Sequence, residues 1–453
     1  SLTYDHTDNI YLLTRVECNN SSGEALPPLE FEYGGQTTPP SSNYIYKRGY
    51  PIVLSTAFLP GGRDLVFKRG KFAASDYRDG VLIYPKFEEY DAVSGSDFLK
   101  IYKYGSMYPS DQTILLVARM EDYNDVDTTL TTGSGFQTIE PVDVDGDGVD
   151  EIVKVNLAGT DGSDSVLRIT VYKCNDNGVP GQVSSFTVKA KGVVTSGTWK
   201  SPYRRSYYWG DFNGDGKAQL LAIAFDYNYN TKRDYAQNCY ATLIDLAGQR
   251  VESDAVRFSY TWNDQNRIIV ADIDADSRTE LCRASSSNLS VYREQTSGAL
   301  AFESVTTNST VSLLSASNRS HCITDLNGDG YADIVITPEY GTDTSWKVLY
   351  FKGDCFTASS FSSVAMSAAD TFMFLDLDYD GLPDLIRISG TQIGTAHNWN
   401  GSVFDSFQVS SSSVTDAKGI VPMNVVNYGA SSCFVKFDGF YGYISWNCYF
   451  NSD

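Results

Sequence analysis

Short runs of apolar residues, punctuated by Gly, Asp, Asn and Ser, recur along nearly the whole chain, and the 3.6-residue spacing of amphipathic helices is almost absent. The runs are of two kinds. Segments such as VLRITVYK, YATLIDLA, LSVYRE and WKVLYFK alternate between apolar and polar positions, as strands with one covered face do. Segments such as EIVKVNLA, LLAIAF, DIVIT and DLIRI are nearly continuous in apolar residues, the mark of strands covered on both faces. With 31 Tyr and 23 Phe beside plentiful Val, Ile and Thr, the residue usage favours extended backbone, so the pattern predicts an all-β chain.

One motif orders these strands. An apolar strand, the loop D-x-[DN]-x-D-[GS]-x-x-[DEQ] and a second apolar strand occur together five times, as DVDGDGVDE, DFNGDGKAQ, DIDADSRTE, DLNGDGYAD and DLDYDGLPD. The copies begin at Asp143, Asp211, Asp272, Asp325 and Asp376, so successive starts are 68, 61, 53 and 51 residues apart. Strands of about five or six residues with short turns fit four to such an interval, which predicts one four-stranded sheet per copy. TAFLPGGRDLVF from Thr56 and NVVNYGASSCFVKF from Asn424 are weaker copies and bring the expected number of sheets to seven, within a range of six to eight. Repeated sheets of this size pack radially as the blades of a β-propeller, and such a ring must close to hide its first and last edges. The expected domains are a strand pair over 1–44 and the propeller over 45–453, with NIYLLTRVE and PLEFEYG as candidates for the closing outer strand.

The loops carry the chemistry. Side chains at positions 1, 3, 5 and 9 and the carbonyl of position 7 point at one centre, and six to eight hard oxygens at roughly 2.3–2.6 Å suit Ca²⁺. Glycine at position 6 permits the left-handed bend. Three copies supply full sets: Asp143, Asp145, Asp147 and Glu151 with the carbonyl of Val149; Asp325, Asn327, Asp329 and Asp333 with that of Tyr331; and Asp376, Asp378, Asp380 and Asp384 with that of Leu382. In the copy of Asp272, Asp274, Asp276 and Glu280, with Arg278 at position 7, Ser277 replaces the glycine, and a distorted turn is expected. In the copy of Asp211, Asn213 and Asp215, with Lys217 at position 7, the ninth residue is Gln219, which offers an amide oxygen without a charge and predicts the weakest site. Asp-Gly pairs also make plain hairpin turns, but five copies in register favour metal. The absence of flanking helices and of Glu at position 12 argues against helix–loop–helix sites.

A formal charge of −21, from 56 acidic and 35 basic residues, argues against nucleic acid and anionic membranes as partners held by bulk charge. The five loops hold 18 of the acids, so the remaining surface is near balance. No run of 18 apolar residues is present to span a bilayer. The eight cysteines show no C-x-x-C spacing, which argues against zinc; Cys433 and Cys448 flank an apparent hairpin and are the expected disulfide, with buried thiols as the alternative. Of three histidines none lies in H-E-x-x-H or beside G-x-S-x-G; His321 is expected in the core and His397 in a loop, and no enzyme is predicted. Tyrosines crowd beside Arg and Lys in 102–109, 201–209 and 226–235. Tyr207, Tyr208 and Trp209 are expected to pack as a strand, and Tyr227 and Tyr229 to be exposed for contacts.

DFNGDGKAQLLAIAF and DLNGDGYADIVIT resemble the FG-GAP/VCBS repeats of integrin-α-type propellers, which fold as calcium-binding blades with the ion in the hairpin between the first two strands; the likeness covers about residues 45–453. The opening YLLTRVECNNSSGEALPPLEFEYGG is similar to the strand pair preceding the propeller in bacterial RHS and Tc-toxin B-component proteins. In that family the propeller lies beside a shell enclosing an effector and acts as a gate or docking platform; the YD-repeat shell is not recognisable in this chain. The resemblance implies a Ca²⁺-binding, secreted or surface-displayed bacterial scaffold that contacts a protein partner or a neighbouring domain of a larger chain. The alternative is a carbohydrate-binding propeller, or the propeller domain of a polysaccharide-degrading enzyme, with glycan as ligand.

Overall fold

The computed structural model is made of strands; among the described residues there is no helix. Besides its strands, the structure describes the joining positions 71–72, 143–150, 175, 179, 191, 211–218, 246–249, 272–279, 320, 325–332, 337–344, 352–353, 363–367, 370, 376, 382–383 and 404. Leu2–Thr7, Ile10–Val16 and Leu29–Glu30 form a three-stranded sheet. Seven larger antiparallel sheets follow among the described residues. The first is Leu65–Gly70, Gly80–Pro85, Ile114–Arg119 and Val126–Thr131; the second Phe136–Val142, Glu151–Asp161, Asp164–Cys174 and Pro180–Ala190; the third Arg205–Gly210, Gln219–Phe225, Cys239–Asp245 and Arg250–Phe258. The fourth is Arg267–Ala271, Glu280–Ala284, Leu289–Glu294 and Leu300–Glu303; the fifth His321–Thr324, Asp333–Ile336, Ser345–Phe351 and Cys355–Ser362, with Thr306–Thr307 added in parallel at its outer edge. The sixth is Thr371–Leu375, Asp384–Ser389, Gln392–Ala396 and Gln408–Ser413; the seventh Ile420–Met423, Cys433–Phe440, Tyr443–Asn451 and Ile45–Val53.

Apolar runs arise because a second strand packs against both neighbouring sheets. In Gln219–Phe225 the residues divide alternately: Leu220 and Ala222 join Val153, Val155, Leu167 and Ile169 of the sheet before, while Leu221 and Ile223 join Leu281 and Tyr292 of the sheet after. Asp333–Ile336 splits the same way, Ile334 and Ile336 toward Ile269, Cys282 and Val291, and Val335 toward Phe374 and Leu385. A strand covered on both faces must be apolar at every position. Between the fifth and sixth sheets Trp346 is fully buried, lies near-parallel to Phe361, and donates its Nε1–H to the Val364 carbonyl at 2.9 Å.

Successive sheets are also tied backbone to backbone at one recurring place. The Asp150 N–H donates to the Lys71 carbonyl at 2.7 Å, Ala218 to Asp143 at 2.7 Å, and Thr279 to Asp211 at 2.6 Å. Each time the eighth loop residue reaches the residue just after the first strand of the preceding sheet. Along these first strands, Lys68, Glu140, Tyr207, Trp209, Val270 and His321 contribute to a common cavity of about 400 Å³. Lys68 Nζ pairs with Glu140 there at 3.1 Å.

Several expectations are corrected. The strand that joins the last sheet is Ile45–Val53, paired along its whole length with Tyr443–Asn451, whereas Ile10–Val16 has its partners in the N-terminal sheet. Leu65 begins the first strand of its sheet instead of following a loop, so the repeats' loop position in this sheet starts at Lys71, between the first two strands, and not at Thr56. Lys71 and buried Phe72 stand there where Asp211 and Phe212 stand in the third sheet. His321 is half-buried against the cavity, not in the core. Tyr207, Tyr208 and Trp209 pack on the apolar clusters as expected, and they border the cavity as well. Cys433 and Cys448 lie on adjacent strands, opposite Phe450 and Val435 respectively, and their side chains fall outside the described residues, as do His397, the segments 102–109 and 226–235, and the copy from Thr56 up to Asp64. Cys174, Cys282, Cys322 and Cys355 carry thiols, not disulfides.

Candidate metal loops

Four of the five loops are described, and they share one geometry. The carboxylate of position 1 turns back on its own loop: Asp143 accepts the N–H groups of Gly146 at 2.7 Å and Gly148 at 2.8 Å, and Asp211 and Asp325 do the same for Gly214 and Gly216, and for Gly328 and Gly330. Position 5 accepts from position 7, as Asp147 does from Val149 at 2.9 Å and Asp329 from Tyr331 at 3.0 Å. The glycines have φ between 72° and 89°, the left-handed region. Ser277 and Ala275 adopt the same bend with φ of 69° and 59°, so the loop keeps its shape without glycine.

Position 9 has two jobs. One oxygen holds the N–H of position 2, whose side chain is buried beneath the loop: Glu151 Oε2 accepts from Val144 at 2.9 Å, Glu280 Oε2 from Ile273 at 3.0 Å, and Asp333 Oδ2 from Leu326 at 3.0 Å. The other oxygen faces the loop's centre. In the second copy Gln219 accepts from Phe212 at 2.8 Å through its Oε1. A backbone N–H demands the oxygen, so the amide presents NH₂ to the centre. Gln219 therefore cannot supply the metal oxygen expected of it. Glu252, from the last strand of the same sheet, comes in beside it, Oε1 accepting from Asn213 Nδ2 at 3.3 Å, and its Oε2 is buried without a hydrogen-bond partner.

What lies opposite position 9 differs from loop to loop. Lys173 Nζ sits among Asp145 Oδ2 at 2.7 Å, Asp147 Oδ2 at 2.7 Å and Glu151 Oε1 at 2.9 Å. Arg293 reaches Asp274 Oδ2 at 2.6 Å and Glu280 Oε1 at 3.2 Å, while Asp272 Oδ1 is buried with no hydrogen bond. At the loop 325–333 the third strand brings Tyr350 and Phe351, and the Phe351 N–H lies 3.4 Å from Asp333 Oδ1. No basic side chain among the described residues reaches that loop. Asp333 is wholly buried, and burial, reinforced by nearby Asp329 and Asp325, pushes its carboxyl up to about 7. Burial likewise pushes Glu280 up to about 7, against the pull of Arg293.

The residue types of 325–333, three carboxylates and an amide, suit a hard divalent cation, with the Asn327 oxygen accepting the Asp329 N–H at 3.0 Å and its Nδ2 donating to Asp329 Oδ2 at 3.0 Å. Asp272, Asp274 and Asp276 bring oxygens within 4.8 Å of one another, as do Asp143, Asp145 and Glu151. In the fifth copy Asp376, Leu382 and buried Asp384 are described, and Asp378 and Asp380 lie outside the described residues. Sequence reading missed Lys173, Arg293 and Glu252. The first two had a signal: V-Y-K and V-Y-R occur in the third strands of the two sheets whose loops end in Glu.

Residues 272–336 and 325–387 match the FG-GAP-like repeat family model. No curated protein matches the chain. Among solved structures, an Agrocybe aegerita lectin described as recognising non-reducing terminal N-acetylglucosamine is 13% identical, with 92% of this chain and 99% of the lectin covered and a TM-score of 0.49. The Photorhabdus luminescens Tc holotoxin pore is 14% identical over 99% of this chain and 16% of the toxin chain, TM-score 0.41. An ulvan lyase of a polysaccharide lyase family is 10% identical over 91% of each chain, TM-score 0.34.

Proposed function

We propose that the chain is a closed seven-bladed propeller whose loops at 272–280, 325–333 and 376–384 hold Ca²⁺, and that it serves as a non-catalytic extracellular scaffold docking a protein partner or a neighbouring domain. The loop at 325–333 carries this reading. Asp333 is buried at 0% exposure beside Asp325 and Asp329 with no basic side chain within reach among the described residues. An uncompensated buried carboxylate costs several kcal/mol, and a divalent ion removes that cost. When bound, the ion supplies charge neutralisation and a rigid hairpin. Asp325, Asn327, Asp329 and Asp333 hold it, and the Asp325 bonds to Gly328 and Gly330 keep the loop pre-shaped for it.

Ring closure is supported by the seventh sheet, which Ile45–Val53 completes. The loops are tied together along one side by the Asp150, Ala218 and Thr279 N–H bonds, which leaves the opposite side for partners. The likeness of the opening segment to RHS and Tc-toxin B-component chains supports a secreted or surface-displayed bacterial setting, where calcium is plentiful.

Calorimetric titration of Ca²⁺ into chelator-stripped protein, with melting curves in both states, tests the reading. Saturable binding and a raised melting point are expected, each site adding about 2.7 kcal/mol at a hundredfold excess over Kd. Asp329→Asn should lower the bound calcium by one ion per chain. Absence of binding sinks the calcium scaffold.

A further inference from the structure

The loop 143–151 has the fullest acidic set of the described loops, with Asp143, Asp145, Asp147, Asp150 and Glu151. Every one of these acids is engaged. Asp143 holds the Gly146 and Gly148 N–H groups, as Asp325 holds those of Gly328 and Gly330 in its loop, and Asp150 Oδ2 accepts the Lys71 N–H at 2.7 Å, tying the loop to the preceding sheet. The remaining three, Asp145, Asp147 and Glu151, meet at one ammonium. Lys173 lies opposite Glu151, one step beyond the Ile152–Tyr172 pair of the ladder, so the strand register delivers it there. Lys173 Nζ donates to Asp145 Oδ2 and Asp147 Oδ2, both at 2.7 Å, and Glu151 Oε1 stands 2.9 Å away as a third ion-pair partner.

We propose that Lys173 takes the place of a metal ion in the loop 143–151, so that the loop richest in acids needs no calcium. The inference rests on the calcium reading of the other loops. The convergence of Asp143, Asp145 and Glu151 within 4.8 Å then reflects a resident side-chain cation. Two charge-assisted hydrogen bonds and a third ion-pair contact hold that cation, and a Ca²⁺ ion entering the same centre has to expel it. Arg293 reaches two carboxylates, Asp274 and Glu280, where Lys173 reaches three, and Asp272 of the loop 272–280 is left without a cation.

The test compares wild type, Lys173→Met and Lys173→Arg for calcium bound per chain and for melting temperature in chelator. Lys173→Met is expected to bind one ion more than wild type and to melt lower in chelator, with Lys173→Arg restoring the melting temperature. An unchanged ion count in Lys173→Met, with the wild type binding calcium, overturns the inference and leaves the calcium reading standing. Should the wild type bind no calcium at all, that reading fails, and the chelator melts alone decide: a loss repaired by Lys173→Arg supports Lys173 as the resident cation, and an unchanged melting temperature refutes it.

Discussion

A carboxyl group whose burial outweighs its cationic contacts holds its proton more tightly folded than unfolded. Asp333 and Glu280, both pushed up to about 7 by burial, titrate near 4 in the unfolded chain. Between those values the folded state binds more protons, so calcium-free protein loses stability as pH rises from about 5 to about 7. Calcium at these loops favours the ionised form and removes the loss. Melting curves in chelator at pH 5, 6 and 7 should therefore fall with pH, and the same curves in calcium should not. Ser277 offers a second test at this scale. A non-glycine residue at φ 69° costs about 1–2 kcal/mol, so Ser277→Gly should stabilise the chain by about 1 kcal/mol in chemical denaturation, with calcium binding retained. The residues of one loop were legible because they are spaced along the chain itself. Glu252 was not, and Lys173 left only its V-Y-K signature, because both reach their loops through pairing with strands tens of residues away. The role of Gln219 was misread because its oxygen is claimed by a backbone N–H that spacing alone does not reveal.

At the scale of elements, the loop of one sheet is shaped to receive the next. A Cβ on Gly146 would meet Lys217 at 3.3 Å, one on Gly214 would meet Arg278 at 2.9 Å, and one on Gly328 would meet Leu382 at 2.8 Å. The fourth residue of these three loops thus makes room for the seventh of its successor, in addition to adopting the left-handed bend. Gly210 has no such bend, yet a Cβ there would fall 2.5 Å from Thr279 in the next sheet. Gly210→Ala is expected to destabilise the protein by about 1–3 kcal/mol through overpacking, read from urea unfolding with calcium saturating so that the loss is not confounded with ion binding. These glycines looked like turn residues in the sequence, and their second role needs the neighbouring sheet to be seen. The degenerate loop after Gly70 was missed for a related reason: without acids at positions 1, 3 and 5 the motif disappears, and what survives is the buried aromatic Phe72 in the place of Phe212.

For the molecule as a whole, the sheet repeat was legible because each second strand must satisfy two neighbours, which writes unbroken apolar runs such as LLAIAF and DIVIT into the chain. The closing strand was harder to find. Ile45–Val53 lacks that signature, since an outer strand pairs on one side only, and the more apolar Ile10–Val16 drew attention away from it. The pairing has a temporal side. Val53 meets Tyr443 across about 390 residues of intervening chain, which a ribosome adds at about 5–20 residues per second, so the strand made early stays without its partner for on the order of 20–80 s. Until then the newborn chain carries an unmated edge at either end of its growing stack of sheets. Synthesis rate, and whatever shields those edges meanwhile, thereby becomes part of how this protein reaches its final form.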